Sequence, residues 1–270
     1  METTATPATG IPATGTRGRF VWHELMTSDP AAAQAFYKEV IGWGTMPMTV
    51  PGGEGEYTMW MAGEVPVGGV MAFTPDAKAM GAPPSWLAYN EVPDIDATIA
   101  EVQKLGGNVI VPAQTVPTVG RFAVLQDPAG AVFAGITSAN PLGEEGDPQL
   151  LGFSWHELAS SDLPGAIKFY EQIFGWKKQS EFDMGDMGVY HMFGRDRFTY
   201  GGMMKKPAEV PMSYWLHYIS VDSADSAAER ATKAGGKLMV GPMEVPGGDR
   251  VAILNDPQGA WFAVHSKAGK

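Results

Sequence analysis

The 270-residue chain contains no cysteine, which excludes a disulfide framework, a thiolate metal site and a cysteine nucleophile, and gives no pointer to secretion. No stretch approaches the roughly 18 consecutive apolar residues of a membrane-crossing helix. Basic residues are scarce. Nineteen Lys and Arg against thirty Asp and Glu give a net charge of −11, a field that repels phosphate backbones and anionic lipid surfaces. Neither nucleic acid nor a membrane is therefore expected as a partner. Residues 1–16, rich in Thr, Ala, Pro and Gly, lack a basic start and an apolar segment and read as a flexible tail. A cytoplasmic protein is expected.

What the chain does have is a repeat. Phe20-Val21-Trp22-His23-Glu24-Leu25 returns as Phe153-Ser154-Trp155-His156-Glu157-Leu158, and between 20–43 and 153–176 twelve of 24 aligned positions are identical. An internal duplication of this extent predicts two halves of like architecture. We place the tail at 1–16, a first domain at 17–138, a polar linker rich in Pro and Gly at 139–150, and a second domain at 151–270.

Each copy opens on a short strand followed by a helix. Asp29 reads as the helix cap with Pro30 behind it, Ala33, Phe36, Tyr37 and Val40 form the apolar stripe, and Gly42 stops the helix. In the second copy Asp162 caps, Ala166, Phe169, Tyr170 and Ile173 form the stripe, and Gly175 stops it. Three strands follow at 45–50, 57–62 and 66–73, and again at 177–182, 188–193 and 198–204. A second such unit in each half begins at Trp86-Leu87 and Trp215-Leu216. Its helices are expected to be capped by Asp94 and Asp222, its strands to lie near 108–111, 121–126 and 131–137, and near 237–240, 250–255 and 260–266. The unit is βαβββ, four times over. Gly52-Gly53 and Gly247-Gly248 lack a phosphate-loop lysine and read as turns.

This order of units, with Phe36-Tyr37, Gly42-Trp43 and Asp127-Pro128-x-Gly130, resembles the vicinal oxygen chelate superfamily, the group of glyoxalases, bleomycin-resistance proteins and extradiol dioxygenases. The resemblance spans about 20–137 and 153–266. It is nearest to the two-domain glyoxalase-related members that open on Trp-x-Glu-Leu. It implies an α+β fold of four βαβββ modules arranged as two tandem vicinal-oxygen-chelate domains, with one cleft per half. Metal-dependent members carry His, Gln or Glu at cleft positions that fall here on Trp22, Leu87 and Ala134, and on Trp155, Leu216 and Ala263. None can ligate, so no metal and no cofactor is expected.

Strand periodicity puts Glu24 and Glu157 on the same face as Trp22 and Trp155. A carboxylate beside an indole in a cleft can act as a general base or accept a hydrogen bond from a ligand, so Glu24 and Glu157 are the candidate catalytic residues. The alternative is a structural acceptor for backbone N–H groups or for Arg121 or Arg250. Trp22, Trp155, Tyr89, Tyr218, Trp261 and His265 are the candidate ligand-binding residues. His23 and His156 have the opposite parity and should point toward the helices. His191, His217 and His265 have no counterparts in the first half, and a metal site built from them is disfavoured because His217 and His265 fall on opposite parities. Met46, Met48, Met59, Met61 and Met71 serve either as packing or as an adaptable apolar wall. The expected function is metal-free binding or sequestration of an apolar small organic molecule in an aromatic-lined cleft. A glyoxalase-like lyase or isomerase using Glu24 or Glu157, and a structural or interaction protein with clefts filled by its own side chains, are the alternatives. Oligomeric state is not legible.

Overall fold

The computed structural model describes residues 16–49 and 57–269. The tail over 1–15 and the turn expected at Gly52-Gly53 lie outside the described residues.

Each half folds as two βαβββ modules. The first module is β1 (Phe20–Thr27), α1 (Pro30–Val40), β2 (Gly44–Met48), β3 (Tyr57–Ala62) and β4 (Val65–Ala72). A short helix α2 (Pro75–Ala79) leads to the second: β5 (Ser85–Glu91), α3 (Ile95–Lys104), β6 (Asn108–Val116), β7 (Gly120–Gln126) and β8 (Val132–Ser138). The second half repeats this as β9 (Phe153–Ser160), α4 (Leu163–Phe174), β10 (Lys177–Asp183), β11 (Val189–Arg195) and β12 (Phe198–Lys205), then β13 (Tyr214–Ser220), α5 (Ala224–Lys233), β14 (Lys237–Glu244), β15 (Arg250–Asn255) and β16 (Trp261–Ser266). The α+β, four-module architecture expected from the sequence is the one observed.

The helix ends follow local chemistry. Asp29 accepts the Ala32 N–H at 3.0 Å and Asp162 the Gly165 N–H at 3.1 Å, satisfying donors that the first turn leaves orphaned. Gly175 closes α4 in the left-handed conformation, φ 73°. One cap differs from expectation. Ser223, not Asp222, caps α5, because the offset of 129 residues relating these units carries Asp94 onto position 223. Helix α2 was not expected, although Thr74 before Pro75 is a cap signal and its side chain accepts the Ala77 N–H. Strands β6 and β14 outrun the expected spans, because register shifts after Val111 and Val240 carry the chain past Pro112 and Pro242.

Two eight-stranded sheets result, one per half, ordered β2-β3-β4-β1-β5-β8-β7-β6 and β10-β11-β12-β9-β13-β16-β15-β14. In the first, β1 pairs parallel with β4 and antiparallel with β5, which pairs parallel with β8. The core joins the halves. Helix α1 packs Phe36, Tyr37 and Val40 in one cluster with Trp60 and Trp86 of its own half and Leu254, Phe262 and Val264 of the other. Helix α4 reciprocates, joining Val102, Leu125 and Phe133 of the first half. Polar contacts cross the same seam in matched pairs: Trp43 Nε1 donates to Leu151 O at 2.7 Å and Trp176 Nε1 to Gly18 O at 2.8 Å. Gly18, at φ +81°, leaves no room for a Cβ, which would lie 2.6 Å from Phe174 O. The linker is also held, since Glu145 receives Tyr200 Oη at 2.9 Å and pairs with Arg195 at 3.2 Å.

Candidate functional site: two outer sheet faces and a histidine seam

Alternate residues of β1 serve two environments. His23 and Leu25 are buried in the seam, whereas Trp22, Glu24 and Met26 face the other way and stay partly exposed. Register identifies their companions on this outer face: Trp22 lies opposite Tyr89, and Glu24 opposite Leu87 and Gly69. Tyr57 pairs with Met48 and Met71, and Met59 with Met46 and Gly69. The methionines singled out in the sequence therefore share one face with Trp22 and Glu24.

The polar centre of this face is a short relay. Trp22 Nε1 donates to Tyr57 Oη at 2.8 Å, Tyr57 hydrogen-bonds Glu24, and Tyr89 Oη donates to Glu24 Oε1 at 3.2 Å. Glycine makes it possible, because a Cβ at Gly69 would lie 2.0 Å from Tyr57 Oη. The second half rebuilds the arrangement. Trp155 Nε1 donates to Tyr190 Oη at 2.8 Å, Tyr190 Oη to Glu157 Oε2 at 2.9 Å, and Tyr218 also hydrogen-bonds Glu157. A Cβ at Gly202 would lie 2.0 Å from the Tyr190 ring. Burial pushes both glutamate carboxyls above the usual range, against the phenol hydrogen bonds that favour the ionised form.

The structure brings Trp22, Glu24 and Tyr89 together, and Trp155, Glu157 and Tyr218 likewise. Tyr57 and Tyr190, which match at the 133-residue offset, complete each group. The arginines offered as structural partners pair elsewhere, Arg121 with Asp96 at 2.9 Å and Arg250 with Asp225 at 2.6 Å. Trp261 stands apart at the start of β16, 43% exposed. His265 is engaged at the end of that strand by Ser154 Oγ at 3.1 Å and Asp249 Oδ2 at 2.8 Å.

The other face of β1 and β9 holds the unexpected feature. His23, His156 and His217 converge in the seam, 6%, 5% and 2% exposed, with ligand-capable nitrogens all within 4.8 Å of one another. His156 stacks on Phe20 and His23 on Phe153, each at 3.6 Å between ring centroids. Burial drives all three imidazoles below their ordinary value, His217 to about 3. Parity separated His217 from His265, as observed; His23 and His156, expected to point toward the helices, meet each other and Phe153 and Phe20 across the seam. The grouping of His191, His217 and His265 that the sequence disfavours is not the one that forms; His217 instead joins His23 and His156, which the docking of the two halves brings together.

Two hollows lie away from these outer faces. One is an open groove of about 420 Å³ beside Leu238 and Pro242, under α5; the other is a pinhole of about 10 Å³ beside His191.

Two stretches, 19–134 and 152–264, match the model of the glyoxalase/bleomycin resistance protein/dioxygenase superfamily. The chain belongs to this superfamily. CFP32 of Mycobacterium tuberculosis, a glyoxylase by name, is 34% identical over 244 residues, covering 90% of this chain and 92% of that one. DauV of a Streptomyces species, named an anthracycline biosynthesis protein, is 30% identical over 263 residues, covering 92% of each. Among solved structures, a homoprotocatechuate 2,3-dioxygenase variant from Brevibacterium fuscum matches with TM-score 0.66 at 14% identity, over 97% of this chain and 74% of that one. The Mn(II)-bound glyoxalase of Novosphingobium aromaticivorans matches with TM-score 0.60 at 18% identity, over 93% and 82%. These likenesses show the fold. No helix among the described residues is long and apolar enough to cross a membrane.

A metal of the superfamily's kind does not fit the outer faces. Around Glu24 the register places Trp22, Leu87, Gly69 and Tyr89, and around Glu157 it places Trp155, Leu216, Gly202 and Tyr218. One carboxylate, already held by two phenols, is no divalent site, which needs several convergent N and O donors.

Proposed function

We propose that each outer face binds a small, largely apolar organic molecule without a metal, seating it against aromatic rings and methionines while Glu24 or Glu157 accepts a hydrogen bond from its polar group. The observation carrying this reading is the same Trp-Tyr-Glu-Tyr relay built twice, each time with a glycine beneath the tyrosine. A carboxylate oriented by phenols in an apolar surround is a selective acceptor for a ligand hydroxyl or N–H. Methionine adapts to varied shapes. The anthracycline biosynthesis proteins among its relatives direct the choice of probe toward planar, hydroxylated aromatic polyketides. The protein is taken to act in the cytoplasm.

The second reading is a glyoxalase-like lyase or isomerase with Glu24 or Glu157 as general base, favoured by the raised carboxyls. It needs an electrophile for the developing enediolate, and among the described residues the side chains hydrogen-bonded to the glutamates are phenols. The filled-cleft reading fits less well, because Trp22 and Trp155 remain partly exposed.

Titrating an anthracyclinone while following tryptophan fluorescence and native mass, beside a turnover assay with a methylglyoxal–thiol adduct, separates the three. Saturable binding weakened by Glu24→Gln or Glu157→Gln is expected. Turnover abolished by the same substitutions would replace binding by catalysis, and neither binding nor turnover would leave the structural role.

A further inference from the structure

We propose that His23, His156 and His217 hold a single monovalent copper ion at the seam between the halves, on the opposite side of the sheets from the ligand-binding faces. The three rings come from β1, β9 and β13, and their ligand-capable nitrogens all lie within 4.8 Å of one another. Hydrogen bonding accounts for only part of the cluster. His156 Nδ1 meets His217 Nδ1 at 3.0 Å, but His23 Nε2 is buried with no partner. An orphaned buried nitrogen is costly, and an ion accepting three lone pairs removes it.

The rings are also held in place as ligands need to be. Phe20 covers the face of His156 and Phe153 that of His23, while His23 and His156 lie nearly parallel, 9° apart at 5.1 Å, and His217 crosses them at 73° and 66°. Face-on stacking leaves the ring edges, where the nitrogens are, free to converge. Such support normally comes to a metal ligand from its surroundings.

Charge selects the ion. All three donors are imidazoles, which bind a metal in their uncharged form, the chain has no thiol, and Glu24 and Glu157 face the other way. A divalent ion would bring two uncompensated charges into a dry interior, and the cost of burying charge grows with its square. Hard monovalent ions prefer oxygen. Copper(I) accepts a low-coordinate imidazole set.

The full-length protein, expressed in copper-supplemented medium and titrated with copper(I) under anaerobic ascorbate against a chromophoric copper(I) chelator, should retain one equivalent. Its X-ray absorption should show a copper(I) edge with three imidazole nitrogens. His217→Ala, which installs the residue the first half carries at Ala88, should weaken retention beyond the roughly 10–100-fold that loss of a mere supporting partner costs, as should His23→Gln. His191→Ala and His265→Ala should leave it unchanged. Failure of the wild-type protein to retain copper, preference for zinc(II) over copper(I), oxygen ligands in the absorption spectrum, or dependence on His191 or His265 would each overturn the proposal. The wild-type spectrum decides even if a seam variant does not fold.

Discussion

The two halves share one core, and the sharpest test is a pair of hydroxyls. Tyr170 Oη, on α4, donates to Asp127 Oδ2 of the first half at 3.0 Å and accepts from Trp215 Nε1 at 3.0 Å. Tyr37 Oη, on α1, does the same with Asp256 of the second half at 3.3 Å and Trp86 at 2.9 Å. Tyr170→Phe removes a hydrogen bond to a charged acceptor, a net loss of about 1.5–3 kcal/mol, and strands an indole N–H that costs about 1–3 kcal/mol if unsatisfied. Because the two effects share one atom and local relaxation recovers part, about 2–4 kcal/mol is expected for each substitution. At about 2–4 °C per kcal/mol for a protein of this size, Tm should fall by roughly 5–15 °C.

The pH dependence follows from the sign. Burial holds the Asp127 and Asp256 carboxyls above the usual range, and the tyrosine bond pulls each partway back. A raised folded-state value means a stability contribution present at low pH and lost as pH rises through that value. Losing the hydroxyl raises the value further, so the gap between variant and wild type should be widest at neutral pH and close as the carboxylates protonate. Scanning calorimetry of both variants from neutral to mildly acidic pH reads this directly. Each should shift one transition as a whole, since each tyrosine and its aspartate lie in different halves. Two resolved transitions with only one displaced, or a Tm unchanged at neutral pH, would refute a shared core.

Three further outcomes are expected. Gly69→Ala and Gly202→Ala place a methyl within 2.0 Å of Tyr57 and Tyr190, so these rings should swing off the glutamates and ligand affinity should fall, read by fluorescence titration; a structure with the tyrosines unmoved would contradict this. Glu24→Gln should lower ligand affinity by about tenfold, or about 1.4 kcal/mol, yet cost little stability at neutral pH, because a carboxyl held above its usual range is a burden when ionised; chemical denaturation checks the second half of that statement. Asp162→Ala, which strips the α4 cap, should cost about 1 kcal/mol.

Strand parity made one side of the site legible and hid the other. Trp22 and Glu24 could be assigned to one face because period two is a local property. The approach of Tyr57 to Glu24 needed the β3–β4–β1 pairing, which brings together residues more than thirty positions apart, and local pattern carries no such information. The seam was less legible still. Tyr37 and Tyr170 sit on ordinary amphipathic stripes, and nothing in a 3.6-residue period says that the stripe of α1 will meet Phe262 of the other half. The histidine cluster compounds the difficulty, since two of its members lie on the repeated hexapeptide and the third on an unmatched strand position.

The contacts at the seam are those of a twofold pair joined into one chain. Phe20 covers His156 as Phe153 covers His23; Trp43 reaches Leu151 O as Trp176 reaches Gly18 O; Tyr37 meets Asp256 as Tyr170 meets Asp127. In an isologous contact one surface patch must complement itself, and this explains why the hexapeptide is repeated with so little change. Its odd and even positions answer to different partners. Trp22 and Glu24 answer to tyrosines of their own sheet, and His23 and Leu25 to the opposite half, so a change at either parity disturbs a contact that the other half mirrors. Departures from twofold symmetry are then the informative places. His217 where the first half has Ala88, and Glu145 gripping Arg195 and Tyr200 from the linker, are features that a symmetric dimer could not hold once only, and both lie where the halves meet.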